Sequence, residues 1–224
     1  TQYVHQGERM MALELFKKAA IKSAAILFPV MIFLLVTGKS FIVTLYSEKY
    51  LESIVPFYIY LFILPIRIVI YGSALMALGQ SKVILIRSVF DLIVNITLSI
   101  ILVHFIGYLG AAIATVLTLY FWTTPYNLLK IGKGFQVSPL KTLPFKKLAH
   151  ILFLSLIPVP LAMLNLLLSG NAYLFKLLLS ALVYFPLTGV LLLKFRFLVI
   201  PVQYHKYIPG FIRSYLIDEN SRDL

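Results

Sequence analysis

Apolar residues run in long blocks along this chain, and short polar, mostly basic interludes divide them. Six blocks reach or approach the ~20 residues that an α-helix needs to cross a bilayer. They fall at about 21–36, 56–78, 83–105, 108–129, 148–168 and 172–193. Residues 1–20 form an amphipathic lead-in, with Glu8, Arg9, Glu14, Lys17 and Lys18 set around Met10, Met11, Leu13, Leu15 and Phe16. A helix lying at a membrane face and a plain extension of the first span both fit that stretch. Residues 37–54 mix charge with aromatic and β-branched residues and read as an interfacial loop with a short helix, Tyr46 and Tyr50 at headgroup level. Residues 194–224 alternate basic and aromatic positions and read as an interfacial tail. The expected fold is all-α, a polytopic membrane bundle of about six transmembrane helices.

One stretch, Asp91–Thr115, departs from plain lipid solubility. Ser88, Asp91, Asn95 and Ser99 recur at spacings of three and four, so they share one helix face. A polar stripe on an apolar helix must face protein or water. Gly107, Gly110, Ala111, Ala112 and Ala114 follow, and small residues let a neighbouring backbone come close, which is how helices associate in lipid.

The second block holds Pro65 and Arg67, and a continuous helix there puts Tyr60, Arg67 and Tyr71 on one face. Arg67 lies near mid-membrane, where a charge costs at least ~2.5 kcal/mol. The depth matches that of Asp91 on the antiparallel neighbour. Two readings stay open: a structural Arg67–Asp91 ion pair, or a substrate cavity lined by one or both.

Composition supports the membrane reading. The 224 residues are 61% hydrophobic and only 12% charged, about half the charged share of a soluble domain. The net charge of +12 does not indicate a nucleic-acid partner, because the basic residues cluster between the apolar runs. With the amino terminus in the cytoplasm, nearly all of them fall on the cytoplasmic side, including Lys130, Lys133, Lys141, Lys146 and Lys147. Both termini are then cytoplasmic, in a multi-pass protein of the cell (cytoplasmic/inner) membrane. The lysine-rich loop suits anionic headgroups. Trp122 and Tyr126 fit an aromatic belt or a sugar-stacking platform. There is no cysteine, and His5, His104, His150 and His205 are scattered without carboxylate partners, so no catalytic residue, metal site or cofactor is expected.

A series of ordered signals resembles a known family. A proline sits in the first span (FPVMIFLL), followed by LYSEKYLES, then ALMALGQSK, then Asn95, then GYLGAAIAT at Gly107–Thr115. Over roughly Leu13–Lys130 this resembles the carboxyl-terminal half of the polysaccharide or O-antigen-type flippases of lipid-linked oligosaccharides. These share a superfamily with the multidrug and toxin extrusion transporters. The resemblance implies one six-helix lobe of a two-lobed transporter working by alternating access. Its cargo is then a polyprenyl-diphosphate-linked oligosaccharide, with Arg67 available for the diphosphate. Asn95, Ser88 and Ser99 are available for sugars or water. The missing N-terminal lobe is expected either upstream of Thr1 or as a second chain. A drug/cation antiporter of the same superfamily, a non-transporting membrane subunit and, more distantly, a membrane enzyme are the competing readings.

Overall fold

The computed structural model describes residues 9–164 and 172–198, and every regular element among them is helical. In chain order these are α1 (Arg9–Tyr46), a 3-10 turn (Glu48–Ser53), α2 (Ile54–Leu61), α3 (Leu64–Arg67), α4 (Tyr71–Ala77), α5 (Ser81–Ile106) and α6 (Leu109–Leu117). A π-helical stretch (Thr118–Thr123) joins α6 to α7 (Thr124–Phe135). After a 3-10 turn at Pro139–Lys141 come α8 (Phe145–Leu156), α9 (Val159–Leu164) and α10 (Tyr173–Lys194). The expected turn at 169–171, the end of the fifth expected span, the first eight residues and the tail beyond 198 lie outside the described residues.

Among the described residues, four helical stretches are long and apolar enough to cross a membrane: α1, α5, the α8–α9 run (Phe145–Leu164) and α10. The broken run from Glu48 to Ala77, bent by 40°, makes a fifth if it is taken as one span. These runs are compatible with membrane insertion.

Helix α1 is the axis of the bundle and touches α2, α3, α8, α9 and α10. It has 38 residues, about 57 Å at 1.5 Å per residue, nearly twice the ~30 Å of a hydrocarbon core. Its buried face reads Leu13, Ala20, Ala24, Ala25, Phe28 and Ile32, small residues alternating with large ones. Leu13 is fully buried, so this part of the lead-in is an extension of the helix packed into the bundle.

The chain differs from expectation at residues 37–46, where the loop is absent and α1 simply continues. The polar residues there are compatible with a buried helix. Thr37 donates its hydroxyl to the Phe33 carbonyl at 2.8 Å, and Gly38 leaves room for the Tyr58 ring, which any Cβ would strike. The helix stops at Ser47, whose φ of 77° turns the chain away.

The expected second span is interrupted twice, around Phe62–Ile63 and Ile68–Ile70. Pro65 has no amide hydrogen to continue the ladder. The carbonyl of Phe62 instead accepts the Tyr120 hydroxyl at 2.8 Å. The α8–α9 run breaks in the same way at Pro158, and the Ser155 carbonyl accepts the Tyr184 hydroxyl at 2.9 Å. These two proline breaks are thus each sealed by a tyrosine from a neighbouring element. Tyr184 belongs to a stripe on α10, Ser180, Tyr184, Thr188 and Leu192, spaced by four and wholly buried.

Between α5 and α6 the close approach is backbone on backbone. A Cβ on Gly110 would collide with the Leu102 and Val103 main chain, whereas Gly107 sits in the turn with φ 66° and open space beside it. Gly189 on α10 also has open space around it.

Two stability predictions follow from these contacts, both readable as thermal midpoints in detergent micelles. Gly110→Ala must push α5 away and should cost about 1–3 kcal/mol, whereas Gly189→Ala should be neutral or slightly stabilising. Tyr184→Phe removes the hydroxyl sealing the Ser155 carbonyl and should cost about 1–2 kcal/mol; an unchanged midpoint would show that this carbonyl finds another donor.

Candidate functional site

The polar stripe of α5 lies against the π-helical stretch. A π-helix carries its hydrogen bonds from i to i+5, so residues five apart come to one face. In an ideal α-helix Thr118 and Thr123 would sit some 140° apart. Here both are buried against α5. The Thr123 hydroxyl lies 3.3 Å from the Thr118 carbonyl and donates to Asp91 Oδ1 at 2.9 Å.

Asp91 is held from its own helix as well. Arg87 Nε stands 3.3 Å from Asp91 Oδ2, an ion pair one turn apart, without hydrogen-bond alignment. Arg87 Nη1 donates to Asn127 Oδ1 at 3.1 Å, and Asn127 is fully buried on α7. Its Nδ2 finds no partner among the described residues. One turn along α5, Asn95 Nδ2 donates to Thr115 Oγ1 at 3.3 Å. Arg87, Asp91 and Asn95 on α5 therefore pair in register with Asn127, Thr123 and Thr115 across the seam.

An open groove of about 400 Å³ runs along this seam. Ser88, Asp91, Asn95, Thr115, Thr118 and Thr123 give it polar edges, and Leu92 and Leu119 give it apolar walls. Hydroxyls, an amide and a carboxylate in one groove can donate and accept hydrogen bonds with a polyhydroxylated ligand or ordered water. Its acid is neutralised by Arg87, so the groove offers little net charge.

Of the residues expected at a site, Ser88, Asp91 and Asn95 come together here. Ser99 lies farther along α5 and does not line the groove. Tyr60, Arg67 and Tyr71 do not share a face. The two interruptions of the helix leave Tyr60 and Arg67 exposed and bury Tyr71. Of the two readings left open for Arg67 and Asp91, the ion pair does not form: Asp91 pairs with Arg87, four residues back on the same helix. The Arg67 guanidinium has no ion pair or hydrogen bond among the described residues, while its amide donates to the Ile63 carbonyl at 3.2 Å. In the small-residue run, Gly110, Ala112 and Ala114 are buried and Ala111 half-buried.

Arg87, Thr115, Thr118, Thr123 and Asn127 escaped the sequence reading. The signal for Arg87 was present, since 87, 91 and 95 share the i, i+4 stripe. Nothing in the sequence announces the π-helix that aligns Thr118 with Thr123. Trp122 stacks on Tyr126 at 5.7 Å and meets Phe90 at 5.8 Å, and Lys130 caps the Tyr126 ring at 5.3 Å. The ring faces are thus largely used on one another. No group of three or more potential metal ligands occurs among the described residues.

Comparison with protein-family models, with curated proteins and with solved structures finds no match to this chain.

The paired arrangement of Arg87 and Asp91 is testable by a double-mutant cycle. Asp91→Leu alone strands a guanidinium in the seam and should lower stability by about 3 kcal/mol, the low end for a buried pair because both side chains keep some exposure. Adding Arg87→Met should recover most of that loss. Additive losses in the cycle would show that the two residues act independently.

Proposed function

We propose that this chain is one six-span lobe of a membrane flippase that moves a lipid-linked oligosaccharide across the cell membrane by alternating access. Both termini then lie in the cytoplasm, and a second lobe, from the same polypeptide or another chain, closes the cavity. A flippase makes and breaks no bonds; it has to shelter a charged, sugar-bearing headgroup while the lipid tail stays in lipid.

The observation that carries this reading is the groove along α5. Ser88, Thr115 and Thr118 donate to carbonyls of their own helices and Thr123 donates to Asp91, so each hydroxyl keeps acceptor capacity to spare. In the groove they line a space that a ligand can reach. Arg67 supports the reading from another side. A bare arginine within a membrane run is costly in lipid, so its surface belongs against water or a second lobe. An arginine there can offer a diphosphate two parallel donors. Charge asymmetry supports the orientation, with basic residues gathered at one end of the spans. The drug/cation antiporter reading is weakened because the groove's acid is already neutralised by Arg87.

The test is a proteoliposome assay on the natively expressed protein with a fluorescent polyprenyl-diphosphate oligosaccharide in one leaflet. Its loss of accessibility to an external quencher reports translocation. Arg67→Ala should slow that loss at least about ten-fold, the value of a charge-assisted hydrogen bond, while Lys49→Ala should leave it unchanged. Translocation no faster than in protein-free vesicles would overturn the proposal.

A further inference from the structure

The turn between α7 and α8 is a folded loop whose lysines have no ion pair among the described residues. Gln136 takes a left-handed conformation (φ 59°), and the Val137 amide returns to the Gly132 carbonyl at 2.9 Å, closing α7. The chain then folds back so tightly that a Cβ on Gly132 would press on the Val137 carbonyl and Pro139. Thr142 is fully buried and donates to the Pro139 carbonyl at 2.6 Å, and Leu143 is buried beside it. Between these anchors the Pro139–Lys141 turn holds Leu140 outward, 75% exposed.

Exposed lysines surround that leucine. Lys133, Lys141, Lys146 and Lys147 flank it in sequence, and none has an ion pair among the described residues. Lys194 is exposed at the end of α10, where Phe195 and Phe197 clasp His150 of α8 at 5.1 and 5.3 Å, so it lies at the same end of the bundle. No acidic residue occurs between Asp91 and Asp218. The counter-charge for this surface must therefore come largely from outside these elements.

We infer that the Gln136–Pro144 loop, with Lys146 and Lys147, is a docking surface for anionic glycerophospholipid. Leu140 enters the acyl boundary, and the lysines engage phosphate groups of the same leaflet. A preformed loop loses little conformational entropy on contact, so its charges act together. Lysines near an anionic surface each contribute on the order of a factor of five to binding, and salt weakens them. The inference rests on the membrane reading and is independent of whether the chain transports anything.

The experiment uses the full chain purified in detergent micelles and titrated separately with phosphatidylglycerol and phosphatidylcholine, bound lipids being counted by native mass spectrometry. Phosphatidylglycerol should bind and phosphatidylcholine should not. The Lys141→Gln/Lys146→Gln/Lys147→Gln variant should bind phosphatidylglycerol roughly a hundred-fold more weakly. Lys49→Gln, in the turn after α1, should bind as the parent does. Because the chain lacks cysteine, a fluorophore on Leu140→Cys provides a second readout, and its emission should shift blue in vesicles containing phosphatidylglycerol. Equal binding of both lipids, an unaffected triple variant, or an equal loss in Lys49→Gln would each overturn the inference.

Discussion

A bundle this apolar has to satisfy its polar groups internally, and most of the architecture follows from how it does so. In a hydrocarbon surrounding, an unpaired hydroxyl or carbonyl costs several kcal/mol. Among the described residues, seven serine and threonine hydroxyls meet that cost locally by donating to the carbonyl four residues back: Thr37, Ser88, Thr97, Thr115, Thr118, Ser155 and Thr188. This device hides a polar residue without needing a neighbour, and it explains why α1 runs straight through Thr37. Where the backbone itself is broken, local repair does not suffice. Tyr120 and Tyr184 then reach across from neighbouring helices to the carbonyls of Phe62 and Ser155. The broken helices are therefore fixed in place by the helices beside them, and the fold is cooperative at its kinks.

The seam between α5 and the π-helical stretch follows a different rule. There Arg87, Asp91 and Asn95 are matched to Asn127, Thr123 and Thr115 by pairs that span two elements. Such pairs hold only while the register between elements holds. Helix α5 has no fully buried residue and makes its main contacts with α6 and the π stretch. Its attachment depends on Gly110, which allows the backbone contact, and on this row of polar pairs.

What the sequence disclosed depends on the range of the interaction concerned. Apolar run length marks α5 and α10 because helices whose exposed faces are apolar as well as their packed ones carry their signal in nearly every residue. The stripe of Ser88, Asp91 and Asn95 was legible because α5 is regular and i, i+4 spacing holds along it. The same reasoning misled at Tyr60, Arg67 and Tyr71, since it assumed one helix where Pro65 and the following turn make three. At residues 37–46 polarity suggested a loop, but Gly38 and Tyr58 pack there, and that contact joins two elements. Of the two readings open for Asp91, the ion pair with Arg67 does not form: matching depth suggested that partner, whereas helical spacing places Arg87 one turn from the carboxylate. The role of Thr123 was beyond reach, because it exists only where the helix widens.

Arg67 and Arg87 show how the same side chain differs in consequence by its surroundings. Arg87 is consumed: its donors face Asp91 and Asn127, and both partners belong to the same seam. Its charge therefore stabilises a register and contributes little to the field in the groove. Arg67 ends a four-residue helix between two breaks, where the flanking Ile66 and Ile68 are buried and hold the backbone while the guanidinium is left outside. Burial of both neighbours means that the charge cannot be withdrawn by rotating this short segment without exposing apolar surface worth about 1.5–3 kcal/mol per side chain. The position of that charge is consequently set by the packing of α3 against α1. An anion approaching this surface meets a backbone position already fixed and a guanidinium whose donors are uncommitted among the described residues, so the ordering cost is confined to one side chain.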